Sequence, residues 1–246
     1  MVSRSAILDR CIASLLTSIC LSMTAGCHMA ATGHNVDGRR MYEQGQFSAA
    51  LQHFQEAIRS DPNNADGYYN MAATFHRTGK QSDNQEHLKQ AETLYLQCLE
   101  KDPNHVEGHR GLAVLYAETN RTTDAFGHLE SWVRGDRQNP DAWTELARLN
   151  LEFGRENTAK QQLDQAIRLD PTNPRVLNSL GYLREQRGEI EQAMQNYARS
   201  YQANDFQPAI AARIAQLQHS LNARATSGGG NNGTRTVDSG VHVTPR

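Results

Sequence analysis

Apolar and small residues recur along this chain at two nested spacings. Over short stretches they fall at the i, i+3, i+4, i+7 intervals that line one face of an α-helix. Leu88, Ala91, Leu94, Tyr95 and Cys98 make one such stripe, and Ile210, Ile214, Leu217 and Leu221 another. The stripes themselves repeat. Ala50, Ala91, Ala125, Ala159 and Ala193 step by 41, 34, 34 and 34 residues, and Gly38, Ala72, Ala113, Ala147 and Gly181 by 34, 41, 34 and 34. Gly45, Gly79, Asn120, Gly154 and Gly188 follow the same frame, and Pro140, Pro174 and Pro208 are 34 apart. Asp61-Pro62, Asp102-Pro103 and Asp170-Pro171 are separated by 41 and 68. One period of 34 with one insertion of seven accounts for every series.

The residue types explain the period. Each unit reads as two antiparallel helices. Its two small positions let the helices approach closely, and larger apolar positions fill around them. The Gly between the helices ends the first, since it turns left-handed without a Cβ clash. The Pro after the second helix stops it and starts the next unit. One unit leaves an apolar face open, so units must stack and the last needs a cap. This predicts an all-α solenoid with units at 31–64, 65–105, 106–139, 140–173 and 174–207, closed by a capping helix over 208–222. The insertion lies within residues 80–90, KQSDNQEHLKQ, where Ser82 with Gln85 or Asp83 with Glu86 forms a capping box. It lengthens the second helix of unit two. A longer hairpin is the plainer outcome than a docking spur, because Leu88 is its only apolar residue. In unit one, His34 and Asp37 occupy apolar slots, so its first helix begins late and residues 28–36 serve as a tether. Trp132 stands where other units have Ala57, Ala166 or Ser200, which calls for local repacking. From 223 to 246 the composition, including TSGGGNNGT, is that of a disordered tail.

In the 34-residue frame, position 4 holds His34, Tyr68, His109, Trp143 and Leu177, and position 24 holds Phe54, Tyr95, Leu129, Leu163 and Tyr197. From about 31 to 222 this array resembles the tetratricopeptide repeat family. The resemblance implies a right-handed superhelical solenoid whose first helices line a concave ligand face. At 100° per residue, the first-helix positions opposite the core carry Arg39, Tyr42, Tyr69, Arg77, Arg110, Val114, Arg148, Leu151, Asn178 and Tyr182. These are the candidate partner-binding residues; Arg and Tyr are common interface anchors. Acids are interleaved, among them Asp66, Glu107, Glu152 and Glu185, so the competing role for the arginines is pairing along the wall. The clamp by which some family members hold a chaperone tail would fall on Asn35, Arg39, Asn70, Glu107 and Gly111; the last two are the wrong types, which disfavours that ligand.

The N-terminus carries an address. Arg4 and Arg10 lead into an uncharged run over 11–25, too short to span a bilayer as a helix. It ends Thr24-Ala25-Gly26-Cys27, which resembles a bacterial lipobox, with Thr24 where Leu is usual. The resemblance implies a signal peptide over 1–26, lipidation at Cys27 and a tether over 27–36. With His28 rather than Asp next, it implies the outer membrane of a diderm bacterium, facing the periplasm. Cleavage after Gly26 or near Ala30-Ala31 is the rival and gives a secreted or periplasmic soluble protein. Cys98 is the one cysteine left outside the signal and the lipobox, so neither a disulfide framework nor a Cys-cluster zinc site is expected. The net charge is -2, which speaks against a nucleic-acid partner. No nucleotide-binding, nucleophile-elbow or HExxH motif occurs, and His105 with His109 lacks further metal ligands, so no enzyme, cofactor or metal is expected. The expected function is a non-enzymatic scaffold at the envelope that binds a protein or peptide. Size and layout are similar to the pilotin-like tetratricopeptide lipoproteins of type IV pilus secretin assembly. An accessory subunit of an envelope enzyme, or such an enzyme itself, is the alternative of another class.

Overall fold

The computed structural model describes residues 29–204 and 207–228. The signal segment, Cys27 and residues 229–246 lie outside the described residues. Eleven helices and no strand occur among the described residues: α1 (29–43), α2 (Phe47–Ser60), α3 (Ala65–Ser82), α4 (Gln85–Lys101), α5 (Val106–Glu118), α6 (Thr122–Gly135), α7 (Pro140–Glu152), α8 (Glu156–Leu169), α9 (Pro174–Gln186), α10 (Ile190–Ala203) and α11 (Pro208–Gly228). They form five hairpins and a cap. Each even-numbered helix from α2 to α8 packs on the next odd-numbered one, and α3, α5, α7 and α9 also touch in sequence. None of the described helices is long and apolar enough to cross a membrane.

Close approach within each hairpin comes from the small positions. Ala50, Ala72, Ala91, Ala113, Ala125, Ala147, Ala159 and Ala193 are all fully buried. Where the opposing ring is large, the small residue is Gly. A Cβ on Gly38 would lie 2.4 Å from the Phe54 ring, and one on Gly181 2.5 Å from the Tyr197 ring. Unit two keeps Ala72, and its Tyr95 ring finds room instead against Gly111 of unit three. The turns between hairpins share a device beyond proline. Asp61, Asp102, Asp136 and Asp170 each accept the N–H two residues on, at 2.9 to 3.1 Å. This explains why unit three turns normally with Arg137 in place of Pro. Asn139 and Asn173 then cap α7 and α9 through their side-chain oxygens.

Four expectations need correction. The first helix neither begins late nor leaves a tether over 28–36. It is helical from 29, with Ala31 fully buried and Asn35 5% exposed, where the Asn35 side-chain oxygen accepts from Asn70 Nδ2 at 3.2 Å in place of water. The insertion is divided between both helices of unit two. α3 has 18 residues against 13 in α5, and α4 has 17 against 14 in α6. Gly79 therefore lies inside α3, where a Cβ would meet Leu88 at 2.9 Å. Asp83 takes the left-handed turn, at φ 50°, that Gly45, Asn120, Gly154 and Gly188 take elsewhere. No capping box forms there; Asn84 caps α4, accepting from Glu86 and His87 N–H. Finally, α11 runs past 222 to Gly228, since Ala223, Arg224 and Ala225 are good helix formers, so the tail does not begin at 223. Leu217 of α11 is buried against Ala193 and Tyr197, closing the open end of unit five.

Trp132 is accommodated by repacking. Its ring is 7% exposed and lies flat on His109, with centroids 3.7 Å apart and planes 7° apart.

Candidate functional site

The odd-numbered helices place their outward residues on one shared wall. Its middle is occupied by ion pairs. Glu145 of α7 is fully buried, yet charged, because two arginines converge on it. Arg110 Nε of α5 donates to Glu145 Oε2 at 2.9 Å and Arg110 Nη2 to Oε1; Arg148 Nε donates to Oε2 at 2.9 Å. Burial alone would raise the Glu145 carboxyl, but the Arg110 hydrogen bond and both guanidinium charges hold it below its ordinary range. Arg148 also pairs with Glu152, and Arg175 of α9 reaches over α7 to Glu107 of α5. Near the cap, Glu185 receives Arg213 and the Tyr197 hydroxyl, the latter at 3.1 Å.

Two open pockets flank this ladder. One, of about 300 Å³, is lined by Thr32, Asn35, Arg39, Asp66, Tyr69, Asn70, His105 and Glu107 of the first three hairpins. Its lining side chains are polar. Asn70 donates to Asn35 Oδ1 at 3.2 Å, Tyr69 and His105 meet as tilted rings with centroids 5.3 Å apart, and His105 Nε2 faces Asp66 at 3.2 Å. The other, about 310 Å³, lies between α7 and α9, lined by Arg148, Leu151, Glu152, Asn178, Ser179 and Tyr182.

The sequence-derived candidates thus divide. Arg39, Tyr69, Arg148, Leu151, Asn178 and Tyr182 line the pockets. Arg110 is a structural partner of Glu145, and Arg148 serves both roles. Arg77 lies over the Tyr42 and Phe47 rings, 5.5 and 5.6 Å from their centroids, tying unit two to unit one. Val114 is half-buried and lines neither pocket. Glu145 escaped the sequence reading. Its signal was present: an acid next to Leu146 and Ala147, one repeat plus one residue after Arg110 and three before Arg148.

Behind the wall, α5 and α6 share an imidazole pair, with His109 buried and His128 half-buried. His109 Nε2 donates to the Pro103 carbonyl at 2.9 Å, so its Nδ1 accepts from His128 Nε2 at 3.0 Å. Burial pushes both imidazoles down, and the His109 neighbour adds to the effect on His128, which falls to about 4. His76, buried beside Tyr95 and facing Glu118 at 3.1 Å, is also lowered, chiefly by burial.

The fold and this wall define a tetratricopeptide-type solenoid. Residues 14–230 match the family model for the Cilia and flagella-associated protein 70 C-terminal domain, and the chain belongs to that tetratricopeptide family. No curated protein matches the sequence. Among solved structures, TTC0263, a thermophilic tetratricopeptide protein of Thermus thermophilus, is similar at 19% identity and a TM-score of 0.56, covering 77% of this chain and 99% of its own. The pilF protein of Pseudomonas aeruginosa is similar at 20% identity and a TM-score of 0.49, covering 82% of this chain and 90% of its own. The likeness to the Thermus protein supports the fold alone.

Two predictions concern the wall itself. Removing both arginines, Arg110→Ala with Arg148→Ala, strands the Glu145 carboxylate and costs about 3–5 kcal/mol in urea denaturation, and adding Glu145→Leu recovers most of it. A double variant as stable as the parent contradicts the buried triad. The second follows from the imidazoles. Their folded pKa values lie below the unfolded value of about 6.5, so the unfolded chain binds protons first and acid favours unfolding. The contribution of these three imidazoles is complete above about pH 7 and is lost as pH falls through 6.5 toward 4, whereas His105, lowered by burial but raised overall through Asp66, acts in the opposite sense above 6.5. His128→Leu flattens that part of the curve of melting temperature against pH; an unchanged slope contradicts the assignment.

Proposed function

We propose that this protein is a non-catalytic interaction scaffold that holds a peptide or an extended segment of a protein partner along the wall of odd-numbered helices. The observation that supports the reading is the layout of that wall: two open pockets, one polar and one largely apolar, on either side of a charge ladder already neutralised from within. A ligand laid along it meets hydrogen-bonding groups at one end and an exposed aromatic, Tyr182, at the other, without having to desolvate unpaired charge in the middle. The test is site-specific photocrosslinking. A benzophenone amino acid at position 39 or 182 captures partners, whereas the same group at Arg59, on α2, captures none. Capture from position 59 alone transfers the binding surface to the even-numbered helices.

The address belongs to the same proposal. Thr24-Ala25-Gly26-Cys27 supports lipidation at Cys27 and attachment at the envelope of a diderm bacterium. On that reading Cys27 stands two residues before the start of α1 at 29, at most about 7 Å of chain, so a lipidated protein would carry its solenoid close to the bilayer. Its first hairpin then faces the lipid and its cap points away. Mass spectrometry of the mature N-terminus gives a triacylated Cys27. An unmodified N-terminus at Cys27 or Ala31 assigns the protein to a soluble pool.

A further inference from the structure

We propose, building on the reading of this wall as a peptide-binding face, that the pocket between α7 and α9 is the anchor subsite: it takes one apolar side chain of an extended peptide while Arg148 and Asn178 hold the main chain beside it.

The pocket's walls carry the first half of the argument. Leu151 and the Tyr182 ring supply its apolar surface, and Tyr182 is 49% exposed, costly for an aromatic with nothing over it. At about 310 Å³ the space suits one aliphatic or aromatic side chain with its flanking peptide groups. The pocket at the other end, with Arg39, Asp66, His105 and Glu107 around it, divides its surface about evenly between polar and apolar atoms, so an apolar group is better matched by the mostly apolar surface between α7 and α9.

Two orphaned atoms supply the second half. Among the described residues, five buried side-chain nitrogen or oxygen atoms lack a hydrogen-bond partner, and two of them, Arg148 Nη2 and Asn178 Oδ1, belong to residues of this pocket. Both side chains are tethered through their other polar atoms, about which the end group can still turn. Arg148 is held through Nε by Glu145 and through Nη1 by Glu152. Asn178 Nδ2 donates to Gln207 Oε1 at 2.8 Å, and Gln207 in turn donates to the Ser200 and Asn204 carbonyls at 3.0 and 2.7 Å. That chain of donors settles which Asn178 atom is the oxygen. Two residues that line the pocket thus carry, beneath its surface, one unused donor and one unused acceptor, each a standing penalty while it stays buried and unpaired. A peptide group is the ligand chemistry that answers both. In an extended segment the C=O and N–H of one residue point the same way, so a single residue accepts from Arg148 Nη2 and donates to Asn178 Oδ1. A small rotation of the two side chains, as the ligand's apolar group enters, brings the atoms to the surface.

The experiment uses the full chain and peptides selected on it from a phage-displayed random twelve-residue library, then synthesised. Enriched peptides share one apolar residue, and Tyr182→Ala, an exposed position that leaves the core untouched, weakens them at least tenfold. Each amide of the best peptide is then replaced in turn by an ester, which deletes one N–H. One replacement, at the apolar residue, weakens binding about tenfold on the parent protein and has no effect on Asn178→Ala, as expected when the lost bond is to Asn178. Because the ester series alters the ligand, it stands even if Asn178→Ala folds poorly. Uniform ester effects overturn the main-chain contact. Peptides that are lost on Arg39→Ala but not on Tyr182→Ala overturn the anchor subsite and leave the wall as a binding face. No enrichment over a blank surface removes both readings. Tighter peptide binding after deletion of residues 229–246 gives the pocket to the chain's own terminus, and overturns a partner's claim on it.

Discussion

The distance between paired helices sets everything else in this solenoid. A helix surface brings two backbones close only where the facing side chains are small, and here those places are filled by Ala or Gly in every hairpin. Where Phe54 or Tyr197 brings a large ring to the seam, the opposite position shrinks to Gly; where Tyr95 does so beside Ala72, the relief comes from Gly111 in the next unit. Ring and glycine are thus one packing decision made by two residues. The same spacing fixes how far apart α5, α7 and α9 stand, and hence whether Arg110 can span from one to Glu145 on the next.

Burying Glu145 is the consequence with the largest electrostatic stake. A carboxylate at 0% exposure survives only if its neighbours are cations held by geometry rather than by chance. Two arginines from adjacent units meet that need, so the triad acts as a register pin between units three and four. It also changes how the wall is used. A solvent-exposed row of arginines would attract any anion. These arginines face inward to acids, and what the wall offers a partner is shape, apolar surface and directed hydrogen bonds.

The fold was legible because its signals are periodic. Small residues, helix-ending Gly and Pro, and a 34-residue step fix five hairpins and a cap without reference to any contact. What escaped the reading is aperiodic. Gly79 sits in the frame where Gly ends a helix, but the seven extra residues move that end to Asp83, and the same glycine becomes a point of contact with Leu88. His34 and Asp37 look wrong for a core helix, yet α1 forms because the polar residue it does bury, Asn35, finds Asn70 in the next unit. Helical angle alone is enough to gather the candidate residues on the odd-numbered helices. Which of the arginines among them were free could not be read that way, since it depends on Glu145, whose partner Arg110 is a whole unit away.

Repeat proteins couple only nearest neighbours in the simplest description, and their curvature is correspondingly soft. Arg175 and Glu107 depart from that description. They belong to units five and three, 68 residues apart, and their ion pair bridges over unit four. Both side chains are near two-fifths exposed, so the pair adds little to global stability. Its effect is on shape. Bending the solenoid open would separate these groups, while closing it would crowd them over the N-terminus of α7. With the triad linking units three and four, the pair biases the wall toward its present curvature without locking it there. A preformed surface loses less conformational freedom on binding, which favours extended segments that fit the existing curve over partners that must reshape it.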